Sequence, residues 1–478
     1  MKKKINGYII LLSVLILAFS GCKKWLDVKP EDKFIETQLY STPQGFADAN
    51  NGFYINNGDN KLYGATLTST TLDVMAQLYL VSSENGSHYK MSTYSYTEAA
   101  PKAIIDGIWT NLYLSIANTN KFLESLETYR TVLDTKTHDL YKGEALGLRA
   151  FYYFDLMRMF TKAYATDSLT KVLPYYDKIT YQISDYMPTT YVMQKVLLDL
   201  KNAEDLLQAS DPAYSLTLVS RPSNTYGRNS RNYKMNYYAV KALQARVNMW
   251  KGDKPAALAA AKSVIGNQSK FPWITLADLS TGIGNRIFGT EMIFGAENTK
   301  LNDLYTSTFS AALFDTSILA PNTSGSFINS TVFEGYATDY RNQYVWLVNG
   351  RPYPTFFKYQ DVGNTSYNTN RTVPLIRTGE MYLIAAECEP DNAVALDYLN
   401  TLRLKRNIPA LPAGTVGPAL TTGIMKEYRK EFYGEGQLFF YYKRTQTASV
   451  ISGGSNAAVA ITAANYTFPV PLSETTPR

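Results

Sequence analysis

At 478 residues the chain is long enough to bury a large core as one domain or two, and its hydrophobic share, 45%, is that of an ordinary globular protein. Charge is sparse at 18%, and the formal +6 includes Lys2, Lys3 and Lys4, which lie in a segment expected to be removed. With no basic stripe elsewhere, the sequence excludes a nucleic-acid partner. Tyrosine is over-represented, 38 residues against 21 Phe and 5 Trp. Its apolar ring and polar tip suit sugar or peptide surfaces, and equally the flanks of half-buried helices.

Lys2 to Lys4 make a positive n-region, and residues 8–19 are an apolar run of signal-peptide length, short for a membrane span. Ser20, Gly21 and Cys22 follow. The pattern resembles a bacterial lipoprotein signal, although Phe19 stands where such signals usually carry Leu. Residues 1–21 are therefore expected to be cleaved and Cys22 to be acylated, with several chains giving firm anchorage. No acidic residue directly follows Cys22 to suggest inner-membrane retention, so the expected destination is the outer membrane. Cys388 does not read as its disulfide partner, and no zinc spacing occurs.

Further along, Phe46, Ala49 and Phe53 follow Thr42-Pro43 at helical spacing. Residues 63–100 hold no period; Ser, Thr, Gly and Tyr dominate and predict a long loop resting on helices. The helical period resumes at Ala103 with Ile105, Ile108, Leu112 and Ile116. It returns in Ala145, Leu148, Tyr152, Leu156 and Met159, and again, after Pro188, in Val192, Val196, Leu200, Ala203 and Leu207. Residues 234–265 predict two helices joined by a tight turn. Met235, Tyr238, Ala242, Ala245 and Met249 form one face, Lys251-Gly252-Asp253 breaks it, Pro255 suits a first turn, and Ala257, Ala260, Ala261 and Val264 form the second face. This is the grammar of a tetratricopeptide-like hairpin, which needs neighbours to bury its apolar side.

Residues 268–375 lose the period and are rich in Gly, Asn, Ser, Thr and aromatics, which predicts a loop-rich functional insert. Helix returns at Arg377 with Met381, Ile384, Ala385 and Cys388, turns at Pro390-Asp391, and continues through Leu396, Leu399 and Leu402. A last helix is predicted over 424–432, ended by Gly434 and Gly436. The pattern predicts a mainly α fold in which helical hairpins pack on one another and carry one long irregular region.

Glu144, Arg149, Arg246, Arg377, Glu380, Glu387, Glu427 and Glu431 interrupt otherwise apolar helices. A catalytic reading would make a carboxylate pair a general acid and base. The competing and preferred reading is a buried ion-pair network that fixes helix register. His88 and His138 are the only histidines, and no metalloprotease, nucleophile-elbow or P-loop motif is present. No EF-hand spacing marks a calcium site, and no cofactor is expected. Cys388, on an apolar helical face, reads as a buried, inert thiol.

Together these elements resemble the SusD/RagB family of outer-membrane nutrient-binding lipoproteins from Bacteroidetes. Cys22, Leu26-Asp27 and Pro30 look like the family's N-terminal motif. Trp109, Asn118 and Asn120 look like its first long helix, and Gly143-Glu144-Ala145, Leu148-Arg149-Ala150 and Tyr153-Phe154 like its second. Ala245-Arg246 and Gly252-Asp253 match a later repeat. Arg377, Glu380, Tyr382-Leu383-Ile384 and Ala386-Glu387, then Arg403 and Arg406, then Glu427, Arg429, Glu431 and Gly434-Glu435-Gly436, and finally Pro469-Val470-Pro471 and Glu474, follow in the family's order. Tyr428, Gln437 and Phe440 depart from it, standing where arginine, arginine and aspartate are common. The resemblance implies a mainly α fold of about four tetratricopeptide-like hairpins with a long loop-rich ligand-binding face, in a single domain over residues 22–478. It also implies a SusC-like TonB-dependent outer-membrane barrel as partner, on which the protein sits as a hinged lid, and no catalysis.

The expected ligand is an oligosaccharide captured at the cell surface, with a peptide or other nutrient as the alternative; a surface hydrolase and a helical-repeat adaptor are the competing classes. The aromatic loops supply the candidate site. Tyr79, Tyr94, Tyr96, Tyr305 and Trp346 would offer ring faces to a pyranose, and Asn85 and Asn302 would bond its hydroxyls.

Overall fold

The computed structural model describes residues 36–219, 230–280, 284–363 and 368–475; the predicted signal, Cys22 and the motif around Leu26 lie outside them. The chain divides into two compact units, residues 1–49 and 50–478. In the first, Tyr40 packs its ring on Phe46 at 4.9 Å, and the Thr42 hydroxyl accepts the Gly45 N–H as helix α1 (Pro43–Asn57) begins.

The second unit is built on helices. α2 (Ala99–Thr128) and α3 (Thr135–Phe160) pack together, and α4 (Thr189–Ser210) lies along α3. α5 (Tyr237–Lys251) pairs with α6 (Lys254–Ile265), and α7 (Thr378–Cys388) with α8 (Asn392–Lys405). α9 (Gly417–Glu431) and α10 (Gln437–Arg444) follow. The expected mainly helical, tetratricopeptide-like scaffold is present.

The α5–α6 hairpin shows how the sequence writes it. The Asn236 side chain accepts the Ala239 N–H at 3.0 Å, which caps α5. Gly252, at φ 87°, closes the helix in the left-handed conformation that glycine adopts without strain. Asp253 then accepts the Ala256 N–H, and Pro255 sits in the first turn of α6. Ala242, Ala245, Ala257, Ala260 and Ala261 are all buried, so the two backbones approach across small side chains. α6 packs in turn on α7, extending the stack. Between α3 and α4 the approach is set by glycine. A Cβ on Gly143 would stand 2.7 Å from Leu207 Cγ.

Several boundaries differ from those read off the sequence. α2 starts at Ala99, before the first periodic residue, with Pro101 in its opening turn. α9 starts at Gly417, and α10 follows the Gly434–Gly436 turn, so the helix over 424–432 is not the last. Within the expected loop over 63–100, residues 63–79 are almost entirely buried and include a short helix at Thr71–Met75, and a second short helix, Gly86–Ser92, follows. Burial is tolerated because local turns satisfy the polar groups. Leu67 N–H bonds Leu62 O at 2.9 Å, and the Thr70 hydroxyl donates to Ala65 O at 3.1 Å.

Short antiparallel pairs occupy the segments without helical period. β1 (Lys171–Pro174) pairs with β2 (Tyr186–Pro188); β3 (Met292–Glu297) pairs with β6 (Thr372–Arg377) across the expected loop-rich insert; β4 (Trp346–Leu347) pairs with β5 (Thr355–Phe356); β7 (Ser449–Ile451) pairs with β8 (Ala458–Ala460). β6 is buried along its whole length and β3 almost so. Apolar runs of this kind carry no alternation, so period alone did not expose them.

The charged residues form the anticipated network. Arg406 donates to both Glu291 oxygens at 2.7 and 2.6 Å and to Glu431 at 2.6 Å. Arg377 bridges Glu431 and Glu435, Arg341 bridges Asp339, Glu427 and Glu431, and Arg403 pairs with Glu427. Elsewhere Glu144 meets Arg231, Arg149 meets Asp199, Arg246 meets Glu380, and Glu387 meets Arg444. Among the described residues no helix is long and apolar enough to cross a membrane.

Candidate functional site

Three distant segments are knitted into one loop-rich face. Leu80 and Ala320 form an isolated antiparallel bridge, with Leu80 N–H on Ala320 O at 2.7 Å. Gly453 donates to Gln77 O and accepts from Asn322 N–H at 2.8 Å, so the β7–β8 hairpin ties to both. Asn456 accepts the Thr331 hydroxyl at 2.7 Å. Beneath them the fully buried Asp73 accepts the amides of Gly434 at 2.7 Å and Gly436 at 3.1 Å, two residues at φ 80° and 69°. Burial pushes the Asp73 carboxyl up to about 8, against the pull of those two N–H groups and of Lys358.

On this face residues 310–317 make a loop with a small core of its own. Ile318, Ala320 and Tyr353 cluster, and Leu313 packs against them. Its neighbour Phe314 points the other way and is 82% exposed. Arg351, on the turn between β4 and β5, clasps the loop. Its Nε donates to Ala311 O at 2.8 Å, Nη1 donates to Asp315 Oδ1 at 2.6 Å, and Nη2 donates to Leu313 O. The Tyr353 hydroxyl also donates to Asp315 Oδ1 at 2.6 Å, and burial followed by that carboxylate pushes its phenol up to about 12. From the far side Asn85 Nδ2 donates to Ser317 O at 3.0 Å. Val348, on the same turn as Arg351, is also exposed.

The residues expected to bind ligand divide into groups. Tyr79, Tyr305 and Trp346 are only 4%, 5% and 4% exposed. Trp346 packs on Phe356 at 5.3 Å and Tyr433 at 4.9 Å, Tyr79 packs on Phe309 at 6.0 Å, and Tyr305 packs on Phe357 at 6.0 Å. In this structure their faces meet other rings, so they present no stacking surface to solvent. Tyr94 and Tyr96 are half-buried. Tyr94 takes φ 56° and donates its hydroxyl to Met75 O at 2.7 Å, while Tyr96 lies edge-on to Phe468 and bonds Asn465 O. Asn85 belongs to the clasp. Asn302 is exposed, two residues beyond Lys300, which lines an open cleft of about 520 Å³ with Asp59, Lys61, Glu297 and Asn298. Sequence reasoning missed Phe314 and Arg351. The adjacent Leu313-Phe314 pair inside a Ser/Thr-rich stretch was the available signal, an aromatic in a segment with no helical or strand period to bury it.

The carboxylates that a hydrolase would use, Glu380, Glu427 and Glu431, are buried against arginines. The described residues group no three His, Cys, Asp or Glu side chains fit to hold a metal ion. Cys388 is buried, with its thiol pushed up to about 12 by burial.

Helical hairpins carrying a knitted loop face define a binding scaffold, and comparison with known proteins gives its family. Residues 24–233 match the family described as starch-binding, associating with the outer membrane, and residues 285–474 match the SusD family. The chain belongs to the SusD/RagB family. It is 23% identical to the SusD-like protein P38 of Formosa agariphila, covering 94% of this chain and 92% of that one. Its fold is similar to a SusD superfamily protein from Bacteroides thetaiotaomicron, with a TM-score of 0.69 at 21% identity over 91% of this chain and 97% of that one. It is also similar to a laminarin-binding SusD-like protein, with a TM-score of 0.63 at 17% identity over 91% and 98%.

Proposed function

We propose that this protein is a lipid-anchored receptor of the outer-membrane surface, which captures a glycan on its loop-rich face and delivers it to a SusC-like TonB-dependent barrel. The observation that carries the reading is membership of a family whose matching model is described as starch-binding and outer-membrane associated. The Phe314 ring on the clasped loop supports it, since an aromatic face is the natural platform for the C–H side of a pyranose. Cleavage after Gly21 leaves Cys22 as the lipidated residue. The protein binds and releases without breaking bonds, its scaffold carboxylates being occupied by arginines.

A pull-down of the lipidated protein from native outer membranes tests the partner. Co-purification of a large TonB-dependent barrel is the expected result; recovery of the protein alone, or with soluble partners only, overturns delivery. Titration with neutral and acidic polysaccharides tests the ligand, and absence of binding to all of them removes the glycan reading.

A further inference from the structure

The 310–317 loop raises a physical question. Ordering a loop costs backbone entropy, about 1–2 kcal/mol per residue, and an exposed aromatic at its tip recovers none of that by burial. Yet the loop is held by three long-range ties: the Arg351 fork, the Tyr353 hydroxyl and the Asn85 amide. Leu313 supplies the loop's core, so the ties are not needed to bury Phe314. What they fix is the loop from which its ring projects.

The charge around the ring is equally specific. Arg351 is the only cation in residues 310–317 and 346–356, and each of its three side-chain nitrogens bonds a loop oxygen. Its side chain is 19% exposed, whereas that of its counter-charge Asp315 is 62% exposed. The pair is neutral in sum, but the member turned to solvent beside Phe314 is the carboxylate. An anionic ligand approaching the ring meets a like charge in Asp315, while the one cation of these two segments is already engaged by loop oxygens.

We propose that Arg351 is a positioning residue that, with Tyr353 and Asn85, holds the 310–317 loop so that the Phe314 ring stacks on an uncharged sugar, and that the exposed Asp315 carboxylate makes the site select neutral over acidic glycans. This rests on the glycan-binding reading above and adds which side chain touches the ligand, which one aims it and what charge is refused.

The test uses the full mature chain, with laminarin and soluble starch as neutral probes and polygalacturonate as the acidic one, together with amide hydrogen exchange. F314A is expected to weaken binding of the neutral probe about tenfold and to leave exchange in residues 310–317 unchanged. R351A is expected to weaken binding by a similar factor and to speed exchange in those residues, with the helices unaffected. R351K keeps the charge but not the three-pronged fork, and is expected to behave as R351A. Wild-type affinity in F314A overturns the stacking assignment. Weaker binding in R351A without faster loop exchange makes Arg351 a ligand contact and overturns its positioning role. Polygalacturonate bound as tightly as the neutral probes overturns the charge selection. A wild-type chain that binds none of the three fails at the glycan reading itself, a result separate from any of these.

Discussion

Arg406 has no exposed surface and divides its guanidinium between Glu291 and Glu431. Removing one partner of such a pair leaves buried charge uncompensated, so R406A is expected to cost about 3–5 kcal/mol of stability, measured by urea unfolding. pH dependence follows from two buried carboxyls of opposite sign. Burial opposes the charge of Glu427, but Arg341, Lys430 and Arg403 hold it down at about 2, below its ordinary 4.5. Its contribution is therefore whole above pH 4.5 and is lost as pH falls toward 2, and E427Q should make that acid limb shallower. Asp73 is displaced upward, from 3.8 to about 8. The fold holds a proton that the unfolded chain has released, so stability falls as pH rises from about 4 to 8. In D73N that fall should disappear from the urea midpoints, and a slope equal to that of the wild type would refute it. The buried charges were legible because a charged side chain at helical spacing on an apolar face has to find a partner. Arg351 was not, because nothing in a loop sequence says which oxygens an arginine will reach.

Between elements, close approach is decided by the small residues. Gly143 lets α3 meet Leu207 of α4, and G143A puts a methyl where 2.7 Å is available. The expected cost is about 1–3 kcal/mol, and L207A in the same chain should recover part of it by vacating the space; additivity of the two losses in thermal unfolding would show that the strain lies elsewhere. The hairpins were readable because period, cap and turn agree at each of them, as at Asn236, Gly252 and Asp253. Where residues 62–79 and the β3–β6 pair are buried on all sides, no alternation or helical stripe remains to be read. The site lies in neither kind but on the half-exposed 310–317 loop, which carries no period either. Ring counting selected Tyr79, Tyr305 and Trp346, yet those rings pack on other aromatics, and the ring that the 310–317 loop exposes is Phe314.

Across the whole molecule, the loop-rich face depends on residues from both ends of the second unit. Asp73 holds the turn at Gly434, 361 residues later, and Gln77 O accepts from Gly453. A chain ending at Glu431 is accordingly expected to lose exchange protection over residues 73–80 and 310–322; protection equal to that of the full chain would show that the face is locally stable. Synthesis delivers the two partners at very different times. The hairpins of α2 to α6 involve near neighbours and close early, whereas the Asp73–Gly434 and Gln77–Gly453 contacts wait for almost the entire polypeptide, the slow class of contact in any folding reaction. The loop-rich face is therefore completed last. A molecule with a finished face has, by that fact, already been made as far as Gly453, so a chain interrupted before that point lacks the face on which the proposed glycan site stands.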